Sequence, residues 1–106
     1  MPEKNKILGL LGLMRRAGAI EIGEVNTGSA AHAHKAKLIL LAADASENAR
    51  KRAETFAFSG KAKLTALPFT KEEFASAVGL SGCSMAAVTD RGFADALLKK
   101  LAEVQD

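Results

Sequence analysis

Gly23-Glu24-Val25-Asn26-Thr27-Gly28 follows a short apolar segment and opens an alanine-rich stretch of helical composition. A turn that feeds a helix presents backbone N–H groups carrying the partial positive charge of the helix N-terminus, and these can hold phosphate. A carboxamide or carboxylate at the same place can read a base edge. The segment therefore has the makings of an RNA-reading loop. As a plain helix cap it would need no ligand, and its surroundings must decide between the two.

Other groups capable of chemistry are few. Asp44 ends a hydrophobic run, and in doubly wound α/β folds active sites lie at the carboxyl ends of strands. A phospho-acceptor aspartate would need further carboxylates near the end of the first strand to hold a divalent cation, and Glu21 is the only one there. The alternative is that Asp44 caps the helix that follows it. His32 and His34 alternate along a helical segment, so they point to different faces and cannot ligate jointly. The single Cys83 excludes an internal disulfide and leaves no metal-finger spacing; a small buried hydrophobe is its simplest role. Nucleophile-elbow, Walker, dinucleotide-binding, C-x-x-C and H-E-x-x-H signatures are all missing from the sequence. Gly9-Leu10-Leu11-Gly12 lies inside an apolar helix rather than after a strand, which fits close helix packing and not a phosphate loop. The expectation is a non-enzyme with neither cofactor nor metal.

The elements that must position these residues alternate. Residues 4 to 17 place Ile7, Leu10, Leu11, Met14 and Ala17 on one helical stripe, and Gly18 suits the position that ends it. Ala19 to Ile22 is a brief extended piece, and residues 24 to 34 form a weak helix favoured by Ala30, Ala31 and Ala33. Lys37 to Ala43 is a continuous apolar run, the pattern of a central strand covered on both faces. Asp44-Ala45-Ser46-Glu47 then reads as a capping box opening a helix through about Phe58, stopped by Ser59-Gly60. Lys63 to Leu67 is a strand ended by Pro68. Thr70-Lys71-Glu72-Glu73 is a second capping box, leading a helix with Phe74, Ala77 and Val78 inward until Gly79. Met85 to Val88 is the fourth strand. Asp90 caps a last helix whose apolar face is Phe93, Ala94, Leu97, Leu98 and Leu101. The order α-β-α-β-α-β-α-β-α predicts an α/β fold, a three-layer α/β/α sandwich with a central four-stranded sheet.

With 106 residues, residues 1–106 read as a single domain. Apolar residues make up 48% and charged residues 25%, the balance of an ordinary globular chain. No apolar run approaches the roughly 18 residues of a membrane span, and the N-terminus lacks signal-peptide architecture, so a cytoplasmic protein without membrane contact is expected. Charge is asymmetric. Residues 1–63 carry eleven basic and six acidic side chains, a balance of +5, whereas the remainder carries four basic and six acidic, a balance of −2. This favours an anionic partner such as nucleic acid, although soluble domains without that role share it. With no Trp or Tyr and five Phe, all five read as core, the chain lacks the stacking aromatics of sheet-type single-strand RNA binders. Nucleic acid would be met by a loop and a helix end.

Taken together, LGLMRRAGAIEIGE, KAKLILLAADASEN, LPFTKEEFASAVG and AVTDRGFADAL, in this order and spacing, resemble the YlxQ-type bacterial branch of the kink-turn-binding ribosomal protein superfamily, the family of archaeal ribosomal protein L-seven-Ae. The resemblance covers residues 5 to 102. It implies an α/β/α sandwich that binds structured RNA, often with sheared G·A pairs and a sharp bend, without catalysing a reaction. It also implies ribosomal RNA or ribonucleoprotein proteins as partners and a monomer when free.

In the family's RNA-reading members the loop before the second helix runs Gly, any residue, Asn or Lys, Glu or Gln, two more residues, then Lys. This places Gly23 at the glycine, Glu24 next to it, Val25 where a polar residue stands, Asn26 at the Glu/Gln position and Ser29 at the lysine. Asn26 keeps a carboxamide for a guanine edge. Val25 has no polar side chain, Ser29 brings no charge, and Glu24 adds a negative one. The family's second contact is the loop before the last strand, which packs on a flipped-out base; here it is Gly79 followed by Leu80, Ser81, Gly82, Cys83 and Ser84, equally suited to a simple turn. Arg15 and Arg16, at the end of the first helix, and Lys35 and Lys37, after the second, can contact phosphates or merely form a solvated basic face. Three functional classes follow: a non-catalytic binder of structured, kink-turn-like RNA; a protein-interaction module on the same fold, favoured by Val25 and Ser29; and an enzyme or phospho-acceptor built on Asp44.

Overall fold

The computed structural model describes residues 2–79 and 84–105. The elements are α1 (Pro2–Ala17), β1 (Ile20–Ile22), α2 (Glu24–His32), β2 (Leu38–Leu41), α3 (Glu47–Gly60), β3 (Lys63–Ala66), α4 (Lys71–Val78), β4 (Met85–Val88) and α5 (Arg91–Gln105). The alternation expected from the sequence is present throughout. The four strands form one mixed sheet in the order β1-β4-β2-β3. Here β4 is antiparallel to both β1 and β2, while β2 and β3 are parallel. The chain's last strand thus enters the middle of the sheet and leaves β1 at an edge.

The two inner strands, LILL and MAAV, are buried at every position because helices cover both faces. On one face Leu38, Leu40, Ala86 and Val88 join Ile7, Leu11 and Met14 of α1, Phe74 and Val78 of α4, and Ala94, Leu97 and Leu101 of α5. On the other, Ile39, Leu41, Met85 and Ala87 meet Ala30 and Ala31 of α2 and Ala53 and Ala57 of α3. This is the three-layer sandwich. The second layer is built of alanine and glycine, so its helices lie close together. A Cβ on Gly28 would stand 2.9 Å from the Phe56 ring, and one on Gly60 would stand 3.0 Å from the Ala31 carbonyl oxygen. The residues that weaken α2 as an isolated helix are the ones that let it seat on α3.

Several expectations need correction. Ser46, not Asp44, caps α3: its backbone is extended and its hydroxyl accepts the Ala49 N–H at 3.1 Å. Asp44 instead accepts the Lys71 N–H at 2.7 Å, at the start of α4. The second capping box forms as expected, with Thr70 and Glu73 bonded reciprocally, and Asp90 accepts the Phe93 N–H at the head of α5. His34 lies beyond α2 in a left-handed conformation (φ 57°), so the two histidines do not share a helix. Ala17 is exposed rather than part of the apolar stripe. Phe69 and Phe74 are core, but Phe58 is 88% exposed, since α3 turns Ala53, Ala57 and Gly60 inward and residue 58 falls on the opposite side. Close packing accounts for Gly12, which lies against α4, and not for Gly9, which faces open space.

Candidate nucleic-acid interface

The site starts at the edge strand. Gly23 N–H donates to Met85 at 3.0 Å and Thr89 N–H donates to Ala19 at 2.8 Å, which sets the hydrogen-bonded positions of the β1–β4 ladder. Because these alternate in an antiparallel pair, Glu21 bonds across to Ala87, and the backbone groups of Ile20 and Ile22 point away from β4. The side chains alternate too: Ile20 and Ile22 enter the core and Glu21 stands exposed on the α2 side.

Gly23 makes the turn into α2 with φ 98° and ψ 162°, a conformation a side chain would strain, and no side chain caps the helix. Its amide is engaged by the sheet, and the Thr27 N–H donates to the Gly23 carbonyl at 2.9 Å. The N–H groups of Glu24, Val25 and Asn26 are the ones left without a helical partner. Asn26 folds back over the edge strand, and its Nδ2 donates to the Ile22 carbonyl at 3.0 Å. That bond satisfies an edge acceptor and fixes the side chain, leaving Oδ1 and one N–H hydrogen for other partners.

Between the edge of β1 and helix α2 runs a cleft of about 380 Å³ whose polar lining is Glu21, Asn26, Ser29, Lys35 and Thr89. A smaller hollow of about 150 Å³ continues it, bounded by Arg15, Ile20, Glu21, Ile22 and Asn26. Glu21 and Asn26 line both, so the two make one groove with Lys35 toward one end and Arg15 toward the other. Among the described residues, the ion pairs are Arg50–Glu47, Arg52–Glu24 and Lys100–Glu103. Arg15, Lys35 and Glu21 are therefore free to meet a ligand.

Of the residues singled out in the sequence, Arg15, Asn26, Ser29 and Lys35 come together on this groove. The other described ones do not line it. Gly23 shapes the turn, Val25 is 83% exposed at the head of α2, and Glu24 is held by Arg52 at 2.7 Å, which neutralises the negative charge it would bring. Arg16 is exposed in the last turn of α1. Lys37 is half-buried, its N–H donating to Val88 at 2.8 Å. Ser84 accepts the Ala42 N–H at 2.8 Å, whereas Leu80, Ser81, Gly82 and Cys83 lie outside the described residues. The sequence reading missed Glu21 and Thr89 as groove residues. The signal was there for Glu21, since a charged residue between two isoleucines must face away from the core its neighbours enter. Among the described residues no three His, Cys, Asp or Glu side chains converge to hold a metal ion, and no helix is long and apolar enough to cross a membrane.

No protein-family model matches the chain, and no curated protein matches it at a significant level. Among solved structures, similar chains include a protein with unknown function from Bacillus halodurans, with a TM-score of 0.83 at 25% sequence identity, covering 92% of this chain and 97% of that one. A 15.5 kDa RNA-binding protein from Giardia lamblia has a TM-score of 0.71 at 16% identity, covering 99% of this chain and 89% of its own. At that identity the likeness to the Giardia protein is one of fold.

Proposed function

We propose that this chain is a non-catalytic RNA-binding protein that recognises structured, kink-turn-like RNA and works in a ribosomal or other ribonucleoprotein setting. The observation that carries the reading is the convergence of Arg15, Asn26, Ser29 and Lys35, from α1, α2 and the segment after it, on one polar groove with an unpaired cation toward each end. Such a groove offers phosphates two charges, and offers a base edge fixed polar groups between them. The resemblance in sequence and the shared fold with an RNA-binding protein from Giardia lamblia support the same reading. Binding of a labelled kink-turn RNA and of an unbent duplex across a salt series tests it. The expected result is tighter binding of the bent RNA at every salt concentration; equal affinities for both would overturn it.

A protein-interaction module on the same fold is the second reading, favoured by the 83% exposed Val25 at the head of α2. On that reading bent and unbent RNA bind alike, and Arg15→Ala with Lys35→Ala lowers both affinities equally.

A further inference from the structure

Glu21 sits where an RNA-binding groove would least want a negative charge. It is the one carboxylate lining either hollow, it borders both, and no described side chain pairs with it. Were the groove only a phosphate track, this charge would repel its ligand. Beside it Asn26, anchored through Nδ2 on the Ile22 carbonyl, has its Oδ1 available. The middle of the groove thus provides the acceptor oxygens of Glu21 and Asn26, beside one remaining Asn26 N–H, and its ends provide cations.

A nucleotide with its phosphates toward Arg15 and Lys35 would set its base over those acceptors. The base must then bring donors. The Watson–Crick edge of guanine carries N1–H and the N2 amino group side by side, and can bond both oxygens of one carboxylate. Adenine and cytosine each set a ring-nitrogen acceptor beside their amino group, and uracil flanks its single N–H with two carbonyls. Each of these would place a lone pair against the carboxylate, an uncompensated contact.

Resting on the RNA-binding reading above, we infer that Glu21 is the base-selecting residue of the groove. Its carboxylate accepts N1–H and the N2 amino group of a guanine whose Watson–Crick edge is free, with Arg15 and Lys35 on the flanking phosphates. Asn26 is a positioning residue that holds the edge strand and adds an acceptor. Glu21 is exposed and its backbone bonds belong to the ladder, so replacing the side chain leaves the fold in place.

The test uses a kink-turn RNA hairpin, the same hairpin with inosine at its non-helical guanosines, and an unbent duplex, against the parent, Glu21→Gln and Glu21→Ala. Inosine lacks only the N2 amino group. The parent should prefer guanosine to inosine by roughly 5- to 150-fold more than either variant does, the range of a good bidentate base contact; the preference left in the variants is that of the G·A pairs for their own N2 amino group. Loss of negative charge should at the same time raise affinity for the unbent duplex, more so at low salt. If the variants keep the parent's guanosine preference in full, or gain equally on all three RNAs, Glu21 is only a repulsive charge: the inference falls and the RNA-binding reading stands. If the parent binds the bent hairpin no better than the duplex, both fall. Guanosine 5′-monophosphate, which can reach only one of the two cations, should compete weakly; displacement of the hairpin at micromolar concentration would assign the groove to a free nucleotide and overturn the inference.

Discussion

The carboxylate of Asp44 accepts a 2.7 Å hydrogen bond from the backbone N–H of Lys71. It ties the end of the central strand β2 to the first turn of α4, across 27 residues of sequence. An anion at a helix N-terminus is favoured by the helix dipole and answers a donor that the helix leaves unpaired. The residue best placed in the sequence for catalysis is thus engaged in holding two layers of the sandwich together.

Asp44→Ala should therefore lower unfolding stability by about 1 kcal/mol, within the usual range of about 0.5 to 2 kcal/mol for a lost cap. Urea unfolding measures this. Affinity for bent RNA should stay at the parent value, because Asp44 does not line the groove. A selective loss of binding would point to a role in recognition.

The two lysines after α2 should separate. Lys35 lines the groove and Lys37 does not, so Lys35→Ala should weaken RNA binding and reduce the slope of log affinity against log salt by about 0.9, one phosphate contact on duplex. Lys37→Ala should leave that slope unchanged. Equal effects from both would mean a diffuse basic face rather than a groove.

Asn26→Ala removes the Ile22 carbonyl's partner at the sheet edge as well as a groove wall. Stability should fall by about 1 kcal/mol, the worth of a typical hydrogen bond, and bent RNA should bind more weakly. Asn26→Asp should be worse for stability, since a carboxylate would face a carbonyl oxygen. Calorimetry with RNA titration reads both effects; a stability loss at unchanged affinity would confine Asn26 to the edge.

Ser29→Lys adds a cation to the exposed groove side of α2, near Lys35. Affinity should rise, by more at low salt than at high, because the added charge is screened. Fluorescence anisotropy on bent and unbent RNA follows it, and a gain confined to the unbent duplex would remove this side of α2 from specific recognition.

Thr27 is fully buried, and its hydroxyl has no hydrogen-bond partner among the described residues. Replacing an unsatisfied hydroxyl by an isosteric methyl is neutral or stabilising. Thr27→Val should raise stability by up to about 1 kcal/mol in urea unfolding and leave RNA binding alone. A loss of stability would place a buried water on that hydroxyl.

The elements could be read along the chain because their signals are local. Apolar spacing of 3.6 or 2, the Thr70 and Glu73 box, and the glycines at 18 and 79 each act within a few residues. Phase errors mark the limit of that reading. Phe58 is apolar, yet the turn of α3 that seats Gly60 on Ala31 throws it outward. Asp44 carries a helix-capping side chain two residues too early for α3, and its actual helix is distant in sequence.

In the groove, the residue types were legible and their neighbourhood was not. Arg15, Asn26, Ser29 and Lys35 could be named from the sequence, because charge and turn chemistry belong to single residues and short segments. That they share a surface with Glu21 and Thr89 follows from β4 inserting between β1 and β2. This pairing leaves Glu21 on an edge and brings Thr89 beside Ala19. Strand order depends on contacts between segments as far apart in sequence as Ile20 and Val88, and Leu38 and Val88. No local pattern encodes it.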